Sequence, residues 1–167
     1  MSRGIDRPID ALVSVFTSHL WDGKTNAFYG RVFRNERGDN NLISPEIWQT
    51  DGNYIEVLKD YSKDGQCFFD VQPNIPIAAG VGSATIWICF MLNLDTVYPA
   101  LTRTEATEQA HYDTKRLIES SQFDINELIT GITGFAAYDF GEIPQAKADM
   151  SPHYLFRYTT TIDYVNC

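Results

Sequence analysis

Apolar positions at Ile9, Leu12, Val13, Phe16 and Leu20 recur at offsets of three, four, seven and eleven, the period of a helix with one buried face. Pro8 suits the first turn of that helix, and Asp6 is placed to cap it. Gly23 and Asn26 interrupt the pattern, and Ala27 to Arg34 then alternates as a strand. From Asn35 to Asn53 the chain is polar, rich in Gly, Asn and Asp, and holds the turn signals Ser44-Pro45 and Asp51-Gly52, so a long loop is expected. Tyr54 to Tyr61 and Gln66 to Val71 read as short strands around Ser62-Lys63-Asp64-Gly65, a hairpin turn with Gly at the bend.

Pro73, Pro76, Gly80 and Gly82 mark a connector into Ser83 to Leu94, a continuous run rich in Ile, Trp and Phe that suits a central strand buried on both faces. Thr102 and Glu105 have capping-box spacing for a helix reaching about Ser120, with Ala106, Ala110, Leu117 and Ile118 as its apolar face. Asp124 and Glu127 repeat that spacing, and Ile125, Leu128, Ile129 and Ile132 predict a shorter helix stopped at Gly134. From His153 the chain alternates, with Tyr154, Phe156, Tyr158, Thr160, Ile162 and Tyr164 on one face and Arg157, Thr159, Thr161 and Asp163 opposite. The order is α-β-β-β-β-α-α-β, and 167 residues fit one domain spanning 1–167.

Charge narrows the function classes. Thirteen Lys and Arg stand against 22 Asp and Glu, a net charge of −9, whereas phosphate binding needs a basic face that displaces counterions. An acidic surface maintains solubility or repels DNA that must pass without sticking. Cys67, Cys89 and Cys167 are an odd set with wide spacing, which points to reduced thiols in a cytosolic setting. Arg3, Asp6, Arg7 and Asp10 near the N-terminus do not read as a secretory signal. The most apolar run, Ala84 to Leu94, falls short of the roughly 20 residues that cross a bilayer, so no membrane partner is expected.

Each stretch that resembles a chemical motif is incomplete as one. Asp60 to Gly65 copies the first half of a calcium loop, but position twelve is Val71 instead of a bidentate Glu, and a turn explains the same residues. Gly80-Val81-Gly82-Ser83-Ala84-Thr85 lacks the third Gly of a dinucleotide fingerprint and leads into a strand, so its glycines are read as permitting a tight entry into that strand. His19, His111 and His153 are isolated, and Ser44 and Cys67 have no nucleophile motif around them. Arg37-Gly38-Asp39 matches an integrin-type tripeptide by chance. The sequence calls for no cofactor, no metal and no catalytic residue. Ile43, Ile47 and Trp48 are large apolar residues without an element to bury them; they either pack back onto a sheet edge or meet a partner. Arg34 and Arg37 at the base of the same loop would orient docking on an acidic partner, with Trp48 as anchor.

The segment Asp124-Ile125-Asn126-Glu127-Leu128-Ile129-Thr130 looks like the short helix before the last strand of phage tail terminators. A polar stretch with Tyr138-Asp139-Phe140 follows it, and then the strand from Tyr154 to Tyr164. The N-terminal helix, early strands, apolar central strand and charged helix occur in the same order upstream. The chain thus resembles the bacteriophage tail-terminator and head-tail joining proteins in outline. That resemblance implies an α+β fold with a mixed, mainly antiparallel sheet flanked by helices. It also implies a structural virion protein, not an enzyme, that forms a ring, usually a hexamer. Such a ring caps the tail tube, joins it to the head and lets DNA through without specific binding. Its partners would be copies of itself, tail-tube proteins and head-tail connector proteins, at the head-tail junction of a virion assembled in the host cytoplasm. The alternative from another class is a small hydrolase or ligand-binding domain with a pocket between sheet and helices, which buried carboxylates or a His-nucleophile pair would favour.

Overall fold

The computed structural model describes residues 4–37, 41–49, 51–58, 60, 62–73, 77–78, 81–140 and 152–165. Gly38 and Asp39 of the tripeptide, Pro76 and Gly80 of the connector, and Cys167 lie outside them. The elements are α1 (Asp6–His19), β1 (Asn26–Arg31), β2 (Phe33–Arg37), β3 (Leu42–Trp48), β4 (Tyr54–Glu56), β5 (Gly65–Val71), β6 (Ile77–Ala78), β7 (Val81–Asn93), α2 (Leu94–Val97), α3 (Arg103–Glu119), β8 (Asp124–Thr130) and β9 (His153–Val165). A large sheet runs β1-β5-β7-β9-β8, with β6 added to β7, and a small sheet runs β2-β3-β4. The β1-β5 pair is parallel and the others are antiparallel, so the fold is α+β with mixed, mainly antiparallel sheets.

Each face of the large sheet has its own core. On one face Ile9, Leu12 and Phe16 of α1 and Ala106, Ala110 and Ile118 of α3 pack over Phe69, Phe90, Phe156 and Tyr158. On the other, Phe68, Cys89, Met91 and Leu155 are covered by Ile43 of the small sheet, by Phe135 and by Tyr138. This two-sided covering explains why β7 reads as an unbroken apolar run. α1, β7, α3 and β9 match the sequence expectation, including the Thr102–Glu105 capping box, whose two hydrogen bonds are both formed. At α1, Ile5 occupies the N-cap without a side-chain bond. Asp6 instead sits in the first turn, where its charge complements the helix end, 3.6 Å from Arg31.

Three expectations are corrected. The predicted helix at Asp124 is β8, an edge strand paired with β9. Its register shifts between Ile125 and Glu127, which puts Ile125 opposite Thr160 and Ile129 opposite Arg157, on opposite faces of the sheet. A helical spacing is therefore satisfied by a bulged strand, and the short helix quoted for the tail-terminator resemblance is not formed. The expected loop from Asn35 to Asn53 is for the most part β2, β3 and the turn to β4, because Ile43 has a core to enter.

The expected hairpin around Ser62 to Gly65 is absent as well, since β4 pairs with β3 and β5 joins β1 and β7. Asp60 Oδ1 accepts from the Ser62 N–H at 2.9 Å, and Asp64 Oδ2 accepts from the Thr25 N–H at 2.8 Å, so this turn is tied to the α1-β1 connection. Gly65 lies directly beneath the Trp21 indole, where any Cβ would collide with the ring. Gly82 lets β7 pass under Tyr164, in keeping with the tight entry expected of it.

The helix face carries one pH-sensitive contact. His111 Nε2 lies 2.9 Å from the Tyr154 hydroxyl, with its ring edge-on to Phe156 at 4.9 Å. Burial lowers its pKa below the ordinary 6.5, while Glu108 pulls the other way. The unfolded chain therefore takes up this proton first as pH falls below 6.5, and the folded state loses stability with acidification. His111→Gln is expected to flatten the dependence of Tm on pH between about 7 and 5 relative to the parent. Parallel melts at both pH values check this, and equal slopes would remove His111 from the linkage.

Candidate functional site

Asp70 is a lone charge in the apolar strand Cys67-Phe68-Phe69-Asp70-Val71, and it is fully buried. Arg34 of β2 reaches across to it with Nε donating to Oδ1 at 2.7 Å and Nη2 to Oδ2 at 3.0 Å; Nη2 also donates to Gln72 Oε1 at 2.7 Å. The Tyr138 hydroxyl donates to Asp70 Oδ2 at 2.6 Å and lies 3.7 Å from Cys89 Sγ. Burial pushes the Arg34 guanidinium down, but its hydrogen bonds to the Asp70 charge outweigh that and leave its pKa raised. Tyr138 and Cys89 are both pushed up, burial first, so each stays protonated. Next to this group Arg157 lies over the Trp87 ring at 3.5 Å, with Arg34 at 5.7 Å from the same ring. Buried Nε and Nη1 of Arg157 have no hydrogen-bond partner among the described residues, so the indole face is what stabilises this cation.

A buried carboxylate is what the hydrolase alternative asked for, and Asp70 is one. Both its oxygens are occupied by Arg34 and Tyr138. Cys89 is held as a thiol, and His111 belongs to the core on the opposite face of the sheet. The group is thus built as a clamp. Among the described residues no group of three His, Cys, Asp or Glu is arranged to hold a metal ion. The space between sheet and helices is filled by aromatic side chains; a surface hollow of about 230 Å³ lies at its rim, where α1 hands over to β1. Among the described residues no helix is long and apolar enough to cross a membrane.

What the clamp positions is the small sheet. Neighbouring residues on a strand point to opposite faces, so pinning Arg34 inward turns Phe33 outward. Phe33 is 50% exposed, and it meets two further exposed aromatics, Trp48 at 53% and Tyr54 at 50%. Phe33 and Tyr54 lie 5.5 Å apart at 84°, and Trp48 and Tyr54 4.8 Å apart at 67°. Three large aromatics joined through Tyr54 at the surface form the kind of patch that marks an interaction site.

Of the residues singled out from sequence for a partner interface, Trp48 stands in this patch. Arg34 is engaged with Asp70, and Ile43 is 8% exposed within the second core, so both are turned inward and serve the clamp and the core. Ile47 is half-buried against that core. Arg37 ends β2 opposite Leu42, and its side chain lies outside the described atoms. Phe33 and Tyr54 were missed because they sit on different strands and meet only through the pairing with β3. Asp70 had a visible signal, a single carboxylate inside an apolar strand, which demands a buried partner. The chain matches no known family model and no curated protein.

Proposed function

We propose that this chain is a structural assembly subunit of the ring-forming kind that closes a phage tail tube and joins it to the head, and that it performs no chemistry. The observation that carries the reading is the exposed aromatic patch of Phe33, Trp48 and Tyr54, held on a sheet that the Arg34–Asp70 pair locks to the body. An Asp70 carboxylate whose two oxygens are taken up by Arg34 and Tyr138 favours a structural role over a reactive centre. The α+β architecture and the net charge of −9 accord with a ring through which DNA passes without trapping, since like charge opposes the counterion release that holds DNA to proteins.

Electron microscopy and native mass spectrometry of the purified protein, alone and with unterminated tails, test this. Rings that join tails are expected from the parent. Excising Arg37 to Gln49 would delete β3 itself, so the informative variant is the point substitution Trp48→Ala. It is expected to keep the parent's melt and to lose tail joining. A strict monomer that never joins tails overturns the reading.

A further inference from the structure

β8 ends the large sheet, and among the described residues only β9 pairs with it. Beyond its bulge the ladder keeps one register from Glu127 to Thr130 and runs on to Gly131, whose N–H donates to the Leu155 carbonyl at 2.8 Å. That bond sets the phase of the pair, since alternate residues of an antiparallel strand bond toward one neighbour. Glu127, Ile129 and Gly131 therefore bond to β9, while Leu128 and Thr130 turn their N–H and C=O groups away from it. Both are exposed, and no backbone group among the described residues meets them on that side.

The same register sorts the side chains. Ile125 and Leu128 lie opposite Thr160 and Tyr158, on the face that the helices cover; Ile125 packs on the first core and Leu128 is 38% exposed. Asp124 and Glu127 lie opposite Thr161 and Thr159, on the other face. Both carboxylates are exposed, and neither makes a hydrogen bond or ion pair among the described residues. Arg157 shares that face but is drawn over Trp87 of β7, away from β8. We propose that β8 is the receptor for an extended segment of a partner protein that joins the sheet as its next strand, alternating apolar residues beside Leu128 with Lys or Arg beside Asp124 and Glu127.

The open backbone groups select the conformation of the occupant, because only an extended chain offers N–H and C=O groups at the spacing of a ladder. Side-chain parity then selects its sequence. Successive residues of an added strand point to opposite faces, so one set meets Leu128 and the other meets two carboxylates that have no partner. A second copy of this chain is disfavoured because it brings its own net charge of −9 to an acidic edge. The inference deepens the assembly reading, from which it takes only that the occupant is a protein; the extended and cationic preferences rest on β8 itself.

The test is an NMR titration of the full chain with an acetylated peptide alternating Arg and Leu. Saturable shifts centred on β8 are expected. Methylating the backbone nitrogens of every Leu, or of every Arg, blocks one edge of the peptide; one of these two forms should lose at least tenfold in affinity, the Leu form if the addition is antiparallel. A similar loss is expected with citrulline in place of Arg, for Glu127→Gln, and for Thr130→Pro, which removes an N–H that β9 does not use. Affinity should stay unchanged for Glu36→Gln on the exposed part of β2. The methylated peptides leave the protein untouched, so they decide the matter should Thr130→Pro prove unstable. Full binding by both methylated forms would exclude a ladder and overturn the proposal, and full binding by the citrulline peptide would do the same for the cationic set. Equal loss from Glu36→Gln would reduce the binding to diffuse attraction and overturn it too, as would shifts centred elsewhere. Self-association of the parent that Thr130→Pro abolishes, without peptide binding, would give the edge to a second copy and overturn it. Ring formation is read separately, so a chain that binds the peptide without forming rings fails the assembly reading alone, and the reverse outcome fails this inference alone.

Discussion

Replacing Asp70 by Asn is expected to destabilise the protein by about 3–5 kcal/mol, the cost of removing one partner from a buried ion pair. Asn keeps the shape and one acceptor oxygen, but its amide group donates where Arg34 and Tyr138 also donate, so at least one of their hydrogen bonds to Oδ1 and Oδ2 is lost. The Arg34 charge then remains three-quarters buried without the carboxylate that neutralises it. Removing both charges together should cost less: the double variant Arg34→Met, Asp70→Leu deletes the unpaired charge along with the pair. Chemical denaturation of Arg34→Met, of Asp70→Leu and of the double variant gives the coupling directly. Strict additivity would show that Arg34 and Asp70 do not act as a pair, and would remove the clamp that positions the aromatic patch.

Phe156→Ala is expected to cost about 3–5 kcal/mol, which for a chain of this size lowers Tm by roughly 6–20 °C. Phe156 is fully buried in the first third of β9, stacked on Phe90 at 5.0 Å and 16°, edge-on to His111, and in contact range of Tyr154 and Tyr158. Truncation to Ala leaves a void between α3 and the sheet that rigid aromatic neighbours cannot collapse to fill. Replacement by Leu retains most of the volume and should recover more than half of the loss. A thermal melt within error of the parent would exclude Phe156 from the core that holds α3 on the sheet.

Local pattern was enough wherever an element buries one face along its own length. Ile9, Leu12 and Phe16 of α1, the box from Thr102 to Glu105 on α3, and the alternation from Tyr154 to Tyr164 each report a periodicity that the backbone geometry converts into a helix or a strand. The unbroken run of β7 likewise announced a strand covered on both faces. Tertiary structure decided the rest. Ile125, Leu128 and Ile129 fit a helix by spacing, but the outer edge of β9 offers a full ladder of backbone partners, and a bulge lets the same residues serve a strand. Leu42 to Trp48 looked like a loop because its sheet is short and its buried face is completed by Phe68, Phe135 and Tyr138, which come from distant parts of the chain. Arg34 and Arg37 looked alike at the base of that segment, yet Arg34 is drawn inward by a carboxylate 36 residues away. Trp48 could be picked out from sequence as a large exposed apolar residue, whereas its partnership with Phe33 and Tyr54 exists only through strand register. Periodicity states which side of an element avoids water; which other element covers that side, and which side chains are left together at the surface, is set by contacts between residues that no local window contains.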